Sequence, residues 1–186
     1  MPKLITRIFL PLIFIFLAIL TFSFVVQAAE KLPFNTPTPA PLVEYDLPYP
    51  GILPDHPLYF LKLIRDKILI LSARNLTKKS ELYLLFADKH LSMGQLLREK
   101  GNLDLSTTTF AKGEKYLLQA AIQEVKLKNQ NNLLVGEANK FDLASRKHEE
   151  ILGKIIDATS DKIINQRLVE TLGITHQAIQ QIALLK

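Results

Sequence analysis

Residues 49–71 read YPGILPDHPLYFLKLIRDKILIL, and the chain changes character in the middle of that stretch, from proline-broken segments to a dense apolar run with spaced cations. Pro50-Gly51 reads as a turn and Pro54 as extended chain. Pro57 suits the first position of a helix, where its missing N–H would have been an orphan anyway. His56, pushed toward extended geometry by that proline, is the expected N-cap. Asp55 just outside it supplies negative charge to the positive end of the helix dipole, or takes the cap itself, being the better capping residue. Capping accounts for Asp55, His56 and Pro57 better than a metal or catalytic pair does, because no third group stands nearby.

Downstream of Pro57 there is no further proline, apolar residues recur at intervals of three and four, and strand alternation is absent. The expectation is an all-α domain over residues 57–186, a bundle of four or five helices. The first runs from Pro57 to about Ala73. The second runs from about Thr77 to Lys100, capped by Asn75 or Thr77 and stopped at Gly101-Asn102, with Leu82, Leu85, Phe86, Met93, Leu96 and Leu97 on one face. A third starts near Ser106 and ends near Lys128. Gly94, Leu97, Gly101, Ser106, Phe110 and Gly113 fall at tetratricopeptide-like spacings, but no second copy follows one period later, so they read as two helices packed closely at small residues. A fourth helix, ending near Ala158, presents Leu134, Ala138, Phe141, Ala144, His148, Ile151 and Ile155. A last one, capped by Thr159 or Ser160 with Asp161 in its first turn, presents Ile164, Leu168, Leu172, Ile179 and Ile182. Its end, HQAIQQIALLK, is uncharged until Lys186 and suits packing on the domain or on another copy.

The opening YPGILPDHPLYFLK, residues 49–62, resembles that of an uncharacterised bacterial family of extracytoplasmic helical domains. Its members lie behind signal peptides or anchors and share a Tyr-Pro-Gly-x-Leu-Pro-Asp-x-Pro-x-Tyr-x-Leu-Lys motif. KKSELYLLFADKHL extends the resemblance to about Gly101. Relatives often carry Ser where His56 stands, which fits an N-cap. The resemblance implies an extracytoplasmic helical domain and brings no catalytic or binding residues with it.

At the other end of the chain, Lys3 and Arg7 precede an apolar run from Ile8 to Val26, and Val26-Gln27-Ala28 ends it in the manner of a signal-peptidase site, with cleavage between Ala28 and Ala29. The run is also long enough to remain as a membrane anchor. Residues 1–28 are thus expected as a signal peptide or uncleaved anchor, with the rest extracytoplasmic, either secreted or held at the cytoplasmic membrane. Removing them takes away Lys3 and Arg7 and lowers the formal net charge from +5 to +3, which, with export, argues against nucleic acid as a partner. Eight of the ten prolines lie between Pro33 and Pro57, so residues 29–56 read as a stiff proline-rich linker rising roughly 3.1 Å per residue. The chain has no cysteine, which excludes disulfides, thiolate metal sites and a cysteine nucleophile.

Nucleophile elbows, phosphate loops, His-Glu-x-x-His and dinucleotide fingerprints are all absent, and Glu149-Glu150 reads as a solvated pair. His148 on an apolar stripe reads as a hydrogen-bonded boundary residue rather than a metal ligand. No catalytic residue, metal site or cofactor is expected. Lys62, Arg65, Lys67, Arg74, Lys78 and Lys79 stand against Asp66 alone in residues 62–79, beside a helix apolar around most of its girth. Such a helix either lies at the centre of the bundle or, with snorkelling cations, meets a membrane surface or an anionic envelope polymer. The expected function is a non-enzymatic helical module of the cell envelope that interacts or scaffolds at the outer face of the membrane, with a protein partner. The alternatives are a ligand- or metal-binding sensor domain and a tetratricopeptide-like partner-binding domain.

Overall fold

A computed structural model describes residues 43–130 and 137–185. The described residues form an all-α bundle of five helices: α1 (Tyr59–Ser72), α2 (Leu76–Glu99), α3 (Leu103–Asn129), α4 (Glu137–Asp157) and α5 (Lys162–Ala183). Ala28, Ala29 and Leu134 lie outside the described residues.

The helix ends follow from local chemistry. Asn75 caps α2, its side chain accepting from the Lys78 amide at 2.7 Å. At the other end Gly101 adopts φ +80°, and the amides of Gly101 and Asn102 donate to the carbonyls of Arg98 and Leu97, the two-bond stop that a left-handed glycine permits. Helix α5 is capped by Asp161, which accepts from the amides of Ile163 and Ile164 at 2.9 and 3.0 Å. The cap thus falls on Asp161 and not on Thr159 or Ser160. Thr159 is occupied elsewhere, donating to Ile155 O and accepting from Arg98.

Helices α2 and α3 form the most extensive pair, and small residues set their separation. A Cβ on Gly94 would lie 2.3 Å from the Phe110 ring, and one on Gly113 would meet His90 Cβ at 3.0 Å and Ala87 O at 3.2 Å. Ser106, buried in the same contact, donates to Gly94 O at 2.7 Å. Helix α3 packs on α5 and α5 on α4, whereas α2 and α4 touch little directly. The seam between α2 and α4 is bridged by residues 43–48. The Val43 amide donates to the Glu150 carboxylate and its carbonyl accepts from the Lys147 ammonium, both of α4, the Tyr45 hydroxyl donates to Asp88 of α2, and Ser92 of α2 donates to Pro48 O. The described half of the proline-rich stretch is therefore a strap on the bundle.

Two apolar clusters make the core. One gathers Leu84, Ala87, Leu117, Ala121, Phe141 and Ile182 among others, and the second Leu91, Phe110, Ile151, Leu152, Ile164 and Leu168. Tyr45 and Leu47 of the strap pack against them, one on each. The end of the chain closes on its own domain, with Ala178, Ile182 and Leu185 buried in the first cluster. Among the described residues no helix is long and apolar enough to cross a membrane.

Candidate functional site

Helix α1 is turned inside out relative to the other helices. Its buried residues are Lys62 and Asp66, while Phe60, Leu61, Ile64, Ile68 and Leu71 are exposed, Ile68 at 59% and Leu71 at 84%. Successive residues step by a 3.6-residue repeat, so Leu61, Ile64, Ile68 and Leu71 line up as one outward stripe, and Tyr59, Lys62 and Asp66 lie on the opposite side. Arg65 and Lys67 border the stripe, one on each edge.

The inward side of α1 rests on polar groups. The Lys62 ammonium donates to the carbonyls of Pro50 at 2.6 Å and Ile52 at 3.4 Å, tying the helix back to the turn that precedes it. Buried Asp66 accepts two bonds from the Arg65 guanidinium, at 2.8 and 3.1 Å. The Lys62 and Lys112 ammonium groups stand 6.0 and 5.8 Å from the centre of the Tyr59 ring. Burial pushes Lys112 below the usual lysine range, against the opposing pull of Asp66. Beneath them His90 is neutral, because burial pushes it down to about 4 despite the bond to Phe86 O that favours its charged form. A carbonyl only accepts, so Nδ1 carries the proton donated to Phe86 O at 2.7 Å, and Nε2 is left to accept from the Tyr59 hydroxyl at 3.3 Å.

A second polar layer lies deeper. His148 of α4 is fully buried, with Nδ1 2.8 Å from Glu114 Oε1 of α3 and Nε2 3.0 Å from Asp88 Oδ1 of α2. The remaining carboxylate oxygens accept from the Thr175 hydroxyl of α5 at 2.8 Å and the Tyr45 hydroxyl of the strap at 2.7 Å. Burial alone would lower the His148 pKa. The Glu114 charge and the bonds to Asp88 and Glu114 outweigh it and hold the imidazolium up at about 10. Burial, and then the Asp88 charge, raise Tyr45 far above the usual phenol range. With both ring nitrogens donating, His148 has no lone pair for a ligand. Two surface depressions, one lined by Gln95, Arg98, Glu99 and Ile155 and the other by residues including Thr107, Lys115, Arg167 and Glu170, do not include it. Among the described residues no group of three or more His, Asp or Glu side chains is arranged to hold a metal ion.

The residues singled out on sequence are placed as follows. Lys62 points inward, contrary to an exterior role, because the buried Pro50 carbonyl lies within its reach. Lys67, Arg74 and Lys78 are exposed, and Arg65 and Lys79 are half-exposed. Asp55 pairs with Lys100 at 2.9 Å, which lowers its pKa. His56 Nδ1 accepts from the Leu58 amide at 3.1 Å, and His56 O accepts from the Tyr59 amide at 3.0 Å. Pro57 therefore sits in a tight turn, and α1 begins two residues after it. Glu150 is not solvated as the sequence suggested: it takes Val43 N and is ion-paired with Lys147 and Lys154. Sequence reading passed over Tyr45, Asp88, Glu114 and Thr175. The available signal was positional, since Asp88 lies between Leu84 and Leu91, and Glu114 between Phe110 and Leu117, on faces otherwise apolar.

A family model described as Domain of unknown function (DUF5667) matches residues 51–182. No curated protein and no solved structure matches the chain.

Proposed function

The chain belongs to the DUF5667 family of domains of unknown function, and from that premise we propose that it is an exported, non-enzymatic module of the cell envelope that holds a partner at the outer face of the membrane. The observation that carries this reading is the outward apolar stripe of α1, flanked by Arg65 and Lys67, on a domain whose other four helices bury their apolar faces. Contiguous exposed apolar surface rimmed by polar groups is characteristic of interaction sites. The amino-terminal Lys3, Arg7 and the run Ile8 to Val26 supply the export signal or anchor, and no cysteine needs oxidation outside the cell. The polar side chains of the interior are committed to one another: His148, Asp88 and Glu114 satisfy each other, which suits a structural layer better than a reaction centre.

The test is a fusion of the full chain to alkaline phosphatase, which is active only after export. Phosphatase activity that disappears on deletion of residues 1–28 is the expected result. An intact but inactive full-chain fusion would overturn the reading.

A further inference from the structure

Building on that reading, we propose that α1 is an interfacial helix, which lays Leu61, Ile64, Ile68 and Leu71 into the headgroup region of an anionic lipid bilayer, with Lys67 at the edge of the stripe reaching lipid phosphates. Four features of the chain select lipid as the occupant. Bulky apolar side chains form one stripe at helical spacing and are about half exposed or more. A long cationic side chain borders each edge of that stripe, so that aliphatic stems extend the apolar surface; the Arg65 head is paired with Asp66, and the exposed Lys67 head is the one that meets external anions. The single acidic residue of α1, Asp66, is 2% exposed and faces the protein, so the outward side carries positive charge only. Exposed Arg74 and Lys78 continue that charge just beyond the helix. A second copy of the same face would set like charges against each other, whereas an anionic bilayer complements them. In addition, the apolar run Ile8 to Val26 is joined to the domain through residues 27–42, and if retained it tethers α1 to a bilayer and raises its effective concentration there.

The absence of cysteine makes the test direct. Single cysteines replace Ile64 or Ile68 in the full chain, with Gln166→Cys, on exposed α5 surface, as the reference. Each carries an environment-sensitive fluorophore, and the protein is reconstituted into vesicles of phosphatidylglycerol and phosphatidylcholine or of phosphatidylcholine alone. Quenching by shallow spin-labelled lipid is expected at 64 and 68, and not at 166, in the anionic vesicles. Lys67→Gln should shift the docked equilibrium by about fivefold. Three results overturn the inference: probes at 64 and 68 as hydrated as that at 166 in a bilayer-incorporated chain; equal docking on neutral vesicles; or probe burial that grows with protein concentration and ignores lipid quencher, which would assign the face to a second copy. Failure of the chain to incorporate at all would count instead against its residence at a membrane.

Discussion

Glycines at 94, 113, 153 and 173 all lie within helices, yet the same added methyl meets different surroundings at each. At Gly94 it would enter the Phe110 ring, which is fully buried and has nowhere to move. Gly94→Ala should therefore cost about 1–3 kcal/mol by overpacking. At Gly153 and Gly173 nothing lies within 4 Å. There alanine should stabilise by about 0.5–1 kcal/mol, through restricting the unfolded chain. Urea denaturation of the three variants decides the matter, and a stabilised Gly94→Ala would show that α2 and α3 can separate freely. The spacing of Gly94, Phe110 and Gly113 was readable as a close helix contact. Which glycine is indispensable was not, because that depends on where a ring from another helix points.

At the scale of elements, α1 and the strap are where sequence reading and structure part. Periodicity located α1, but its apolar residues exceed one face, and nothing in the local pattern says that the polar side turns inward. The inward side is chosen by partners remote in sequence: Met93 and the Tyr59-bonded His90 on α2, and Lys112 on α3. If the outward stripe is free of the core, Ile64→Ser with Ile68→Ser should leave the unfolding free energy within about 0.5 kcal/mol. Leu152→Ala, at a fully buried site of α4, should cost about 2–5 kcal/mol. A loss of that size in the serine double variant would mean that α1 packs through its apolar face. For the strap, prolines suggested a spacer, and they do keep residues 43–50 free of helix. Extended chain is also what fits the seam between α2 and α4, a property of the assembled bundle. Removing one hydroxyl tests this. Tyr45→Phe leaves Asp88 Oδ2 without its donor in a buried site and should cost about 1.5–3 kcal/mol, whereas Tyr49→Phe, at an exposed position, should cost nothing measurable. Equal thermal denaturation midpoints for the two would show the strap to be loosely held.

Over the whole molecule, five segments meet at one buried charge layer: Tyr45 from the strap, Asp88 from α2, Glu114 from α3, His148 from α4 and Thr175 from α5. These residues are far apart in sequence, so the apolar faces of the helices were legible while their polar join was not. Its consequence is a pH dependence whose sign follows from the His148 charge. In the unfolded chain a histidine loses its proton near about 6.5. In the folded chain the two carboxylates hold it to about 10. Between those values the native state binds one proton more than the unfolded state, so stability falls with rising pH by up to about 1.4 kcal/mol per unit. The contribution is complete below about 6.5 and gone once pH has risen through the folded value. Urea denaturation from pH 6 to 10 should thus give a midpoint that declines steadily through the alkaline range. His148→Leu should lose about 3–5 kcal/mol at pH 6.5, because Asp88 and Glu114 would be left buried without their shared cation. It should also lack the alkaline decline, since the titrating group is gone. A wild-type midpoint flat from pH 6.5 to 10 would mean that the proton is not retained. One imidazole nitrogen would then face a carboxylate oxygen with no proton between them, and the five segments would be held by their apolar clusters alone.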